Sequence, residues 1–69
     1  MSDNVYKKIE IVGTSATSLE DAIQNAVGKA AQTVRRMGWF EVEEIRGAIK
    51  EDQVAQWQVT VKIGFTLED

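Results

Sequence analysis

The stretch Gly38-Trp39-Phe40-Glu41-Val42-Glu43-Glu44-Ile45-Arg46-Gly47 concentrates the side chains of this chain that could do chemistry. Trp39 offers an indole for aromatic stacking, and Arg46 a guanidinium able to pair with a phosphate or carboxylate through charge-assisted hydrogen bonds. Glu41, Glu43 and Glu44 are carboxylates that could serve acid–base chemistry or a hard metal ion. No histidine, nucleophile or glycine-rich phosphate loop accompanies those carboxylates, so a solvated edge or an intersubunit salt bridge is their better reading. Gln58 taken alone is a surface amide. Trp57 carries the ordinary reading of a tryptophan in a small domain, which is core. Trp39 escapes that reading because Phe40 and Val42 already occupy the core parity of its strand.

Composition removes whole classes of function. The 69 residues contain no cysteine and no histidine. Disulfides and thiolate metal sites are therefore excluded, together with the commonest general base. A formal net charge of −3 argues against nucleic acid, whose binding needs a basic footprint. No apolar run approaches a membrane span and no secretory h-region is recognisable, so the expected compartment is the cytoplasm and no membrane partner is expected. Nothing points to an enzyme. Ordering a chain this short costs on the order of 1.5 kcal/mol per residue, which burial in one small domain barely offsets. Self-assembly is the remaining source of stability.

The elements that must position these side chains follow from periodicity. Met1 to Asn4 read as a frayed start. Val5 to Val12 alternate as a strand, with Val5, Ile9 and Ile11 on one side and Tyr6, Lys8 and Glu10 on the other. Gly13 to Thr17 read as a small polar loop. Ser18 is a candidate N-cap, with Asp21 three residues on. Leu19, Ala22, Ile23, Ala26, Val27, Ala30, Ala31 and Val34 recur at helical spacing and predict one helix over Leu19 to Met37, stopped by a left-handed Gly38. In the strand that follows, the apolar positions change parity from Phe40 and Val42 to Ile45, Gly47 and Ile49. One extra residue near Glu43-Glu44, a β-bulge, restores the register and puts Arg46 on the face of Trp39. After a charged turn at Lys50 to Gln53, Val54 to Leu67 alternate cleanly. Trp57, Val59, Val61, Ile63, Phe65 and Leu67 form the buried side, and Gln56, Gln58, Thr60, Lys62 and Thr66 the other.

The expected fold is α+β, in the order β-α-β-β. Its three-stranded antiparallel sheet has strand order 1-3-2, and one helix packs on one face. The whole of residues 1–69 is expected to form one domain. The opposite face carries Tyr6, Lys8, Glu10, Trp39, Glu41, Arg46, Gln58, Thr60 and Lys62, and an exposed tryptophan and arginine on an uncovered sheet face call for a partner.

The element order, with Tyr6-Lys7-Lys8, Val12-Gly13-Thr14-Ser15, Trp39-Phe40-Glu41-Val42, Ile45-Arg46-Gly47 and Gln58-Val59-Thr60-Val61, resembles the dodecins, small flavin-binding proteins that assemble as hollow homododecamers. The resemblance runs from about Val5 to Glu68. It implies that Trp39 stacks on a flavin isoalloxazine ring, with two flavins and two symmetry-related tryptophans forming one stack between subunits. It further implies that Gln58 hydrogen-bonds the polar edge of the ring. Arg46 could pair with a phosphate, which favours FMN, with riboflavin and FAD as alternatives. The implied function is non-catalytic flavin storage and photoprotective quenching. The competing expectation is a purely structural self-assembling β-α-β-β module without a bound cofactor.

Overall fold

Four elements follow one another in the computed structural model, which describes residues 3–67: β1 (Tyr6–Ser15), α1 (Leu19–Ala30), β2 (Met37–Lys50) and β3 (Gln53–Thr66). The expected frayed start falls partly outside the described residues, at Met1 and Ser2. β3 is the central strand, antiparallel to β1 on one side and to β2 on the other, so the sheet order is β1-β3-β2 as expected. Its alternation explains the placement. Val59, Val61 and Ile63 project to one side and are fully buried, while Gln58 and Lys62 project to the other.

α1 begins as its residues dictate. Ser18 Oγ accepts a hydrogen bond from the Asp21 backbone N–H at 3.0 Å, satisfying one of the orphan donors of the first turn. Glu20 and Asp21 lie in that turn, at the positive end of the helix dipole. The Asp21 carboxylate does not close a capping box. It accepts instead from the Ser15 hydroxyl at 2.7 Å, while Ser15 Oγ accepts from the Thr17 N–H at 2.9 Å. A buried serine thus ties the end of β1 to the start of α1.

Small residues bring the helix down onto the sheet. Ala22, Ala26 and Ala30 are its buried face and join Val59, Val61 and Ile63 in one core. Opposite them, Gly13 has no side chain to spare room for. A Cβ there would strike the Ala22 carbonyl oxygen and lie 2.7 Å from Ala26 Cβ.

Two boundaries differ most from the sequence expectation. The helix ends at Ala30, with Ala31 as C-cap, and not at Met37. Gln32 and Thr33 donate to the carbonyls of Lys29 and Ala30, a tightened last turn that closes the helix. Arg36, and not Gly38, takes the left-handed conformation, with φ 61°. Val34 keeps its place against the core from outside the helix. β1, for its part, runs on through Gly13, Thr14 and Ser15, which were expected in a loop but pair with Val59, Gln58 and Trp57.

The β-bulge is where parity placed it: Val42 pairs with Val61 and Glu44 with Thr60, leaving Glu43 extra. Further register shifts occur at Met37/Trp39 and Ala48/Ile49. β3 starts at Gln53, one residue before the expected Val54, and Leu67 falls outside it. The hairpin tip has Glu51 and Asp52 at φ 53° and 62°, the left-handed pair of a primed two-residue turn built without glycine.

The helix packs on β1 and β3 and does not reach β2. Phe40, Val42 and Ile45 pair with Ile63, Val61 and Val59 and so share the core side of the sheet, as their parity predicted. They are nonetheless 43–57% exposed. The expected buried side of β3 is likewise covered only in its middle: Trp57 and Phe65 are half-buried and Leu67 is exposed.

Candidate functional site

The face without a helix carries two constellations, one at each end. At the first, Trp39 of β2 pairs with Gly64 of β3, which pairs in turn with Lys8 of β1. A Cβ on Gly64 would press against the face of the benzene ring of Trp39, nearly equidistant from Cζ2, Cε2 and Cη2. Only an approach through the face of a ring gives that pattern. One face of the indole therefore lies flat on the backbone of the central strand, across the gap left by the missing side chain, while the residue stays 39% exposed. Beyond the gap stands Tyr6, its ring centroid 5.2 Å from that of Trp39 at an interplanar angle of 73°, the edge-to-face arrangement that ring quadrupoles favour.

The indole edge is tethered as well. Trp39 Nε1–H donates to Glu41 Oε2 at 2.9 Å, and Lys8 Nζ donates to the same oxygen at 3.0 Å. These two donors, the indole first, lower the Glu41 pKa from the ordinary glutamate value, because both favour the charged form. Lys62, which pairs with Glu41 across the strands, makes its ion pair with the bulge residue Glu43 at 3.5 Å.

At the second end, Arg46 and Gln58 are direct cross-strand partners. Arg46 Nε donates to Gln58 Oε1 at 2.7 Å, and Gln58 Nε2 donates to Gln56 Oε1 at 2.8 Å. Arg46 Nη1 lies 3.7 Å from Glu44 Oε1, with its side chain 55% exposed. The bulge puts the guanidinium here: without the extra Glu43, Arg46 would point to the core side.

The structure therefore puts the three residues singled out by sequence on one face and brings only two of them together. Gly64 and Gln58 are six residues apart along β3, roughly 20 Å at the rise of a strand. Trp39 and the Arg46–Gln58 pair of one chain cannot touch the same small planar molecule. Chemically, the first end is a stacking surface, and the second is a polar grip with a cation for an anionic group. Among the described residues, no cluster of three or more carboxylates could hold a metal ion.

Sequence reasoning had put Tyr6, Lys8 and Glu41 on this face without seeing that they surround the indole, and it passed over Gly64. The available signal was a lone glycine at an open-face position of a strand otherwise rich in β-branched residues, which marks a close approach.

Comparison with known proteins finds relatives of the whole chain. The Dodecin family model matches residues 5–68. A dodecin of Thermus thermophilus is 54% identical over 65 residues, spanning 94% of each chain. Among solved structures, a protein from Thermus thermophilus superposes with a TM-score of 0.93 at 52% identity, over 97% of this chain and 98% of that one. Dodecin from Streptomyces coelicolor gives 0.94 at 49% identity, over 100% and 99%.

Proposed function

The chain belongs to the dodecin family of small, non-catalytic flavin-binding proteins, and we propose on that footing that it binds FMN in a homododecamer, storing the flavin and quenching its photochemistry in the cytoplasm. Residues 1–69 act as one flavin-binding domain. The observation that carries this reading is the Trp39 indole, laid flat on Gly64 and still 39% exposed. A polarizable planar surface of that kind suits an isoalloxazine ring, with stacking worth roughly 1–3 kcal/mol.

When bound, the flavin supplies the photochemistry, and an indole in contact with its ring can donate an electron and accept it back quickly. Trp39 provides that surface. Gln58 hydrogen-bonds the ring edge with an amide that both donates and accepts, and Arg46 meets the FMN phosphate. The distance between Trp39 and Gln58 within one copy supports a site completed by a neighbouring copy. The uncovered Phe40, Val42 and Ile45 support assembly too, since an exposed apolar patch of this kind is a recognised mark of an interface. Among the described residues, no helix is long and apolar enough to cross a membrane.

Titrating FMN with purified protein while following flavin fluorescence tests the reading, with sedimentation in parallel. Saturable quenching by an oligomer, lost in Trp39→Ala, is the expected result. A large assembly that leaves flavin fluorescence unchanged would instead establish the cofactor-free structural module.

A further inference from the structure

Glycine at position 64 permits the indole to lie flat but does not force it to. The ring has two side-chain torsions and is part-exposed, so something else must fix its angle. One group grips its Nε1 edge, and a second holds that group in place. Glu41 Oε2 accepts from Nε1–H at 2.9 Å and from Lys8 Nζ at 3.0 Å, so a single oxygen ties an indole of β2 to an ammonium of β1. The link crosses the whole central strand, over the space that a side chain at Gly64 would fill. The bulge keeps it undivided. Lys62 is the cross-strand neighbour of Glu41, yet its ammonium pairs with the extra residue Glu43, which leaves Lys8 as the closely paired cation of Glu41.

We propose that Glu41 and Lys8 are positioning residues for Trp39: a clamp that fixes the plane of the stacking surface through its Nε1–H. The side chains of Lys8 and Glu41 are 43% and 39% exposed, and exposed ion pairs add little to stability. Releasing the clamp is therefore expected to free the ring without unfolding the protein. The consequence for flavin rests on the stacking role of Trp39, but the clamp itself is observable without flavin.

The test uses the full chain labelled with 15N, with the two indole N–H resonances assigned through Trp39→Phe and Trp57→Phe. In flavin-free protein, Glu41→Ala is expected to move the Trp39 Nε1–H resonance upfield and speed its exchange with water. The Trp57 resonance should stay in place. FMN binding should then weaken by roughly tenfold, the scale of one poorly oriented stack. Glu41→Gln keeps an oxygen acceptor but loses the charge that draws Lys8. It should retain most of the resonance position and bind FMN with intermediate affinity. A Trp39 resonance and exchange rate unchanged in Glu41→Ala overturn the clamp, whatever FMN does. A freed indole with unaltered FMN affinity overturns its positioning role. If Trp39→Ala itself binds FMN as the wild type does, the stacking role of Trp39 falls instead, and the resonance of the flavin-free protein still decides the clamp.

Discussion

The two ends of the open sheet face are built in opposite ways. At the Trp39 end, an aromatic side chain is bounded from below by bare backbone, from the side by Tyr6 and along its edge by Glu41, which Lys8 holds in turn, and all three strands contribute. At the Arg46 end, two long polar side chains hold one another through a single 2.7 Å hydrogen bond, and the guanidinium keeps donors to spare. The first end presents a rigid surface, the second a chemical handle. Affinity from stacking needs a surface that does not have to be ordered on binding, whereas recognition of a polar edge needs groups with unspent hydrogen-bonding capacity.

If that division is right, the ends must fail differently. The largest loss is expected from Trp39→Ala, which should remove most FMN binding and quenching, by on the order of 3 kcal/mol if ligand stacks on both sides of a shared site. Sedimentation should show the oligomer intact. Trp57→Ala is the control from the other face. That residue is half-buried against the core, so it should cost less than the roughly 3–5 kcal/mol of a fully buried tryptophan, read as a lower denaturation midpoint. Loss of assembly in both variants would erase the distinction between the faces.

Next in size is Arg46→Ala. Losing a charge-assisted contact to phosphate should weaken FMN by about 1.5–3 kcal/mol, an effect that shrinks with added salt. Riboflavin should also weaken, though less, because Arg46 Nε holds the Gln58 amide in place. Parallel titrations of both flavins measure the difference. Equal losses would mean that Arg46 only orients Gln58 and that the preference for FMN is unfounded. Gln58→Ala should cost FMN and riboflavin alike, by about 0.5–1.5 kcal/mol for a neutral hydrogen bond. Mixing it with Trp39→Ala and reassembling the two should restore some quenching, since a site drawn from two copies can be whole where the variants meet. No recovery would mean that each site is built within one chain.

The smallest effect concerns pH. Both donors to Glu41 favour its charged form, so its folded pKa lies below the ordinary value. Its contribution is present above the unfolded pKa and is lost as pH falls through the lowered one. The surrounding charges are Lys8 and Glu10 on β1, Lys62 on β3 and Glu43 on β2. FMN affinity should hold from neutral into mildly acidic solution, then decline below the usual carboxylate range. Glu41→Gln should remove that decline, as fluorescence titrations across pH would record.

Much of this was legible in the residues. The alternation of Val59, Val61 and Ile63 identified the central strand. The parity change after Val42 located the bulge, and hence the face of Arg46. Where reading failed, one feature was serving two masters. Val34 continues the helical spacing of Ala30, yet reaches the core from a non-helical segment. Gly13, Thr14 and Ser15 look like a loop because they are small and polar. Gly13 is small to admit α1, and Ser15 is polar because its hydroxyl joins β1 to α1. The separation of Trp39 from Gln58 was implicit in the register, but face alone does not report distance along a strand. The cradle around the indole was illegible for a different reason: it depends on strands that only the 1-3-2 order makes neighbours.

That order also has a consequence in time. β2 and β3 close from a two-residue turn, so their ladder can zip outward from Glu51 and Asp52 with little loop entropy to overcome. β1 joins by pairing Tyr6 with Thr66, nearly end to end along the chain, and contacts of such long separation are slow to form. Trp39 can therefore find Gly64 while the hairpin grows, but Tyr6 and Lys8 arrive only with the last strand. In refolding experiments, strand signal should appear before Trp39 emission reaches its native value. The surface proposed to receive the flavin is then finished by the last strand, and flavin quenching should mark the end of folding itself.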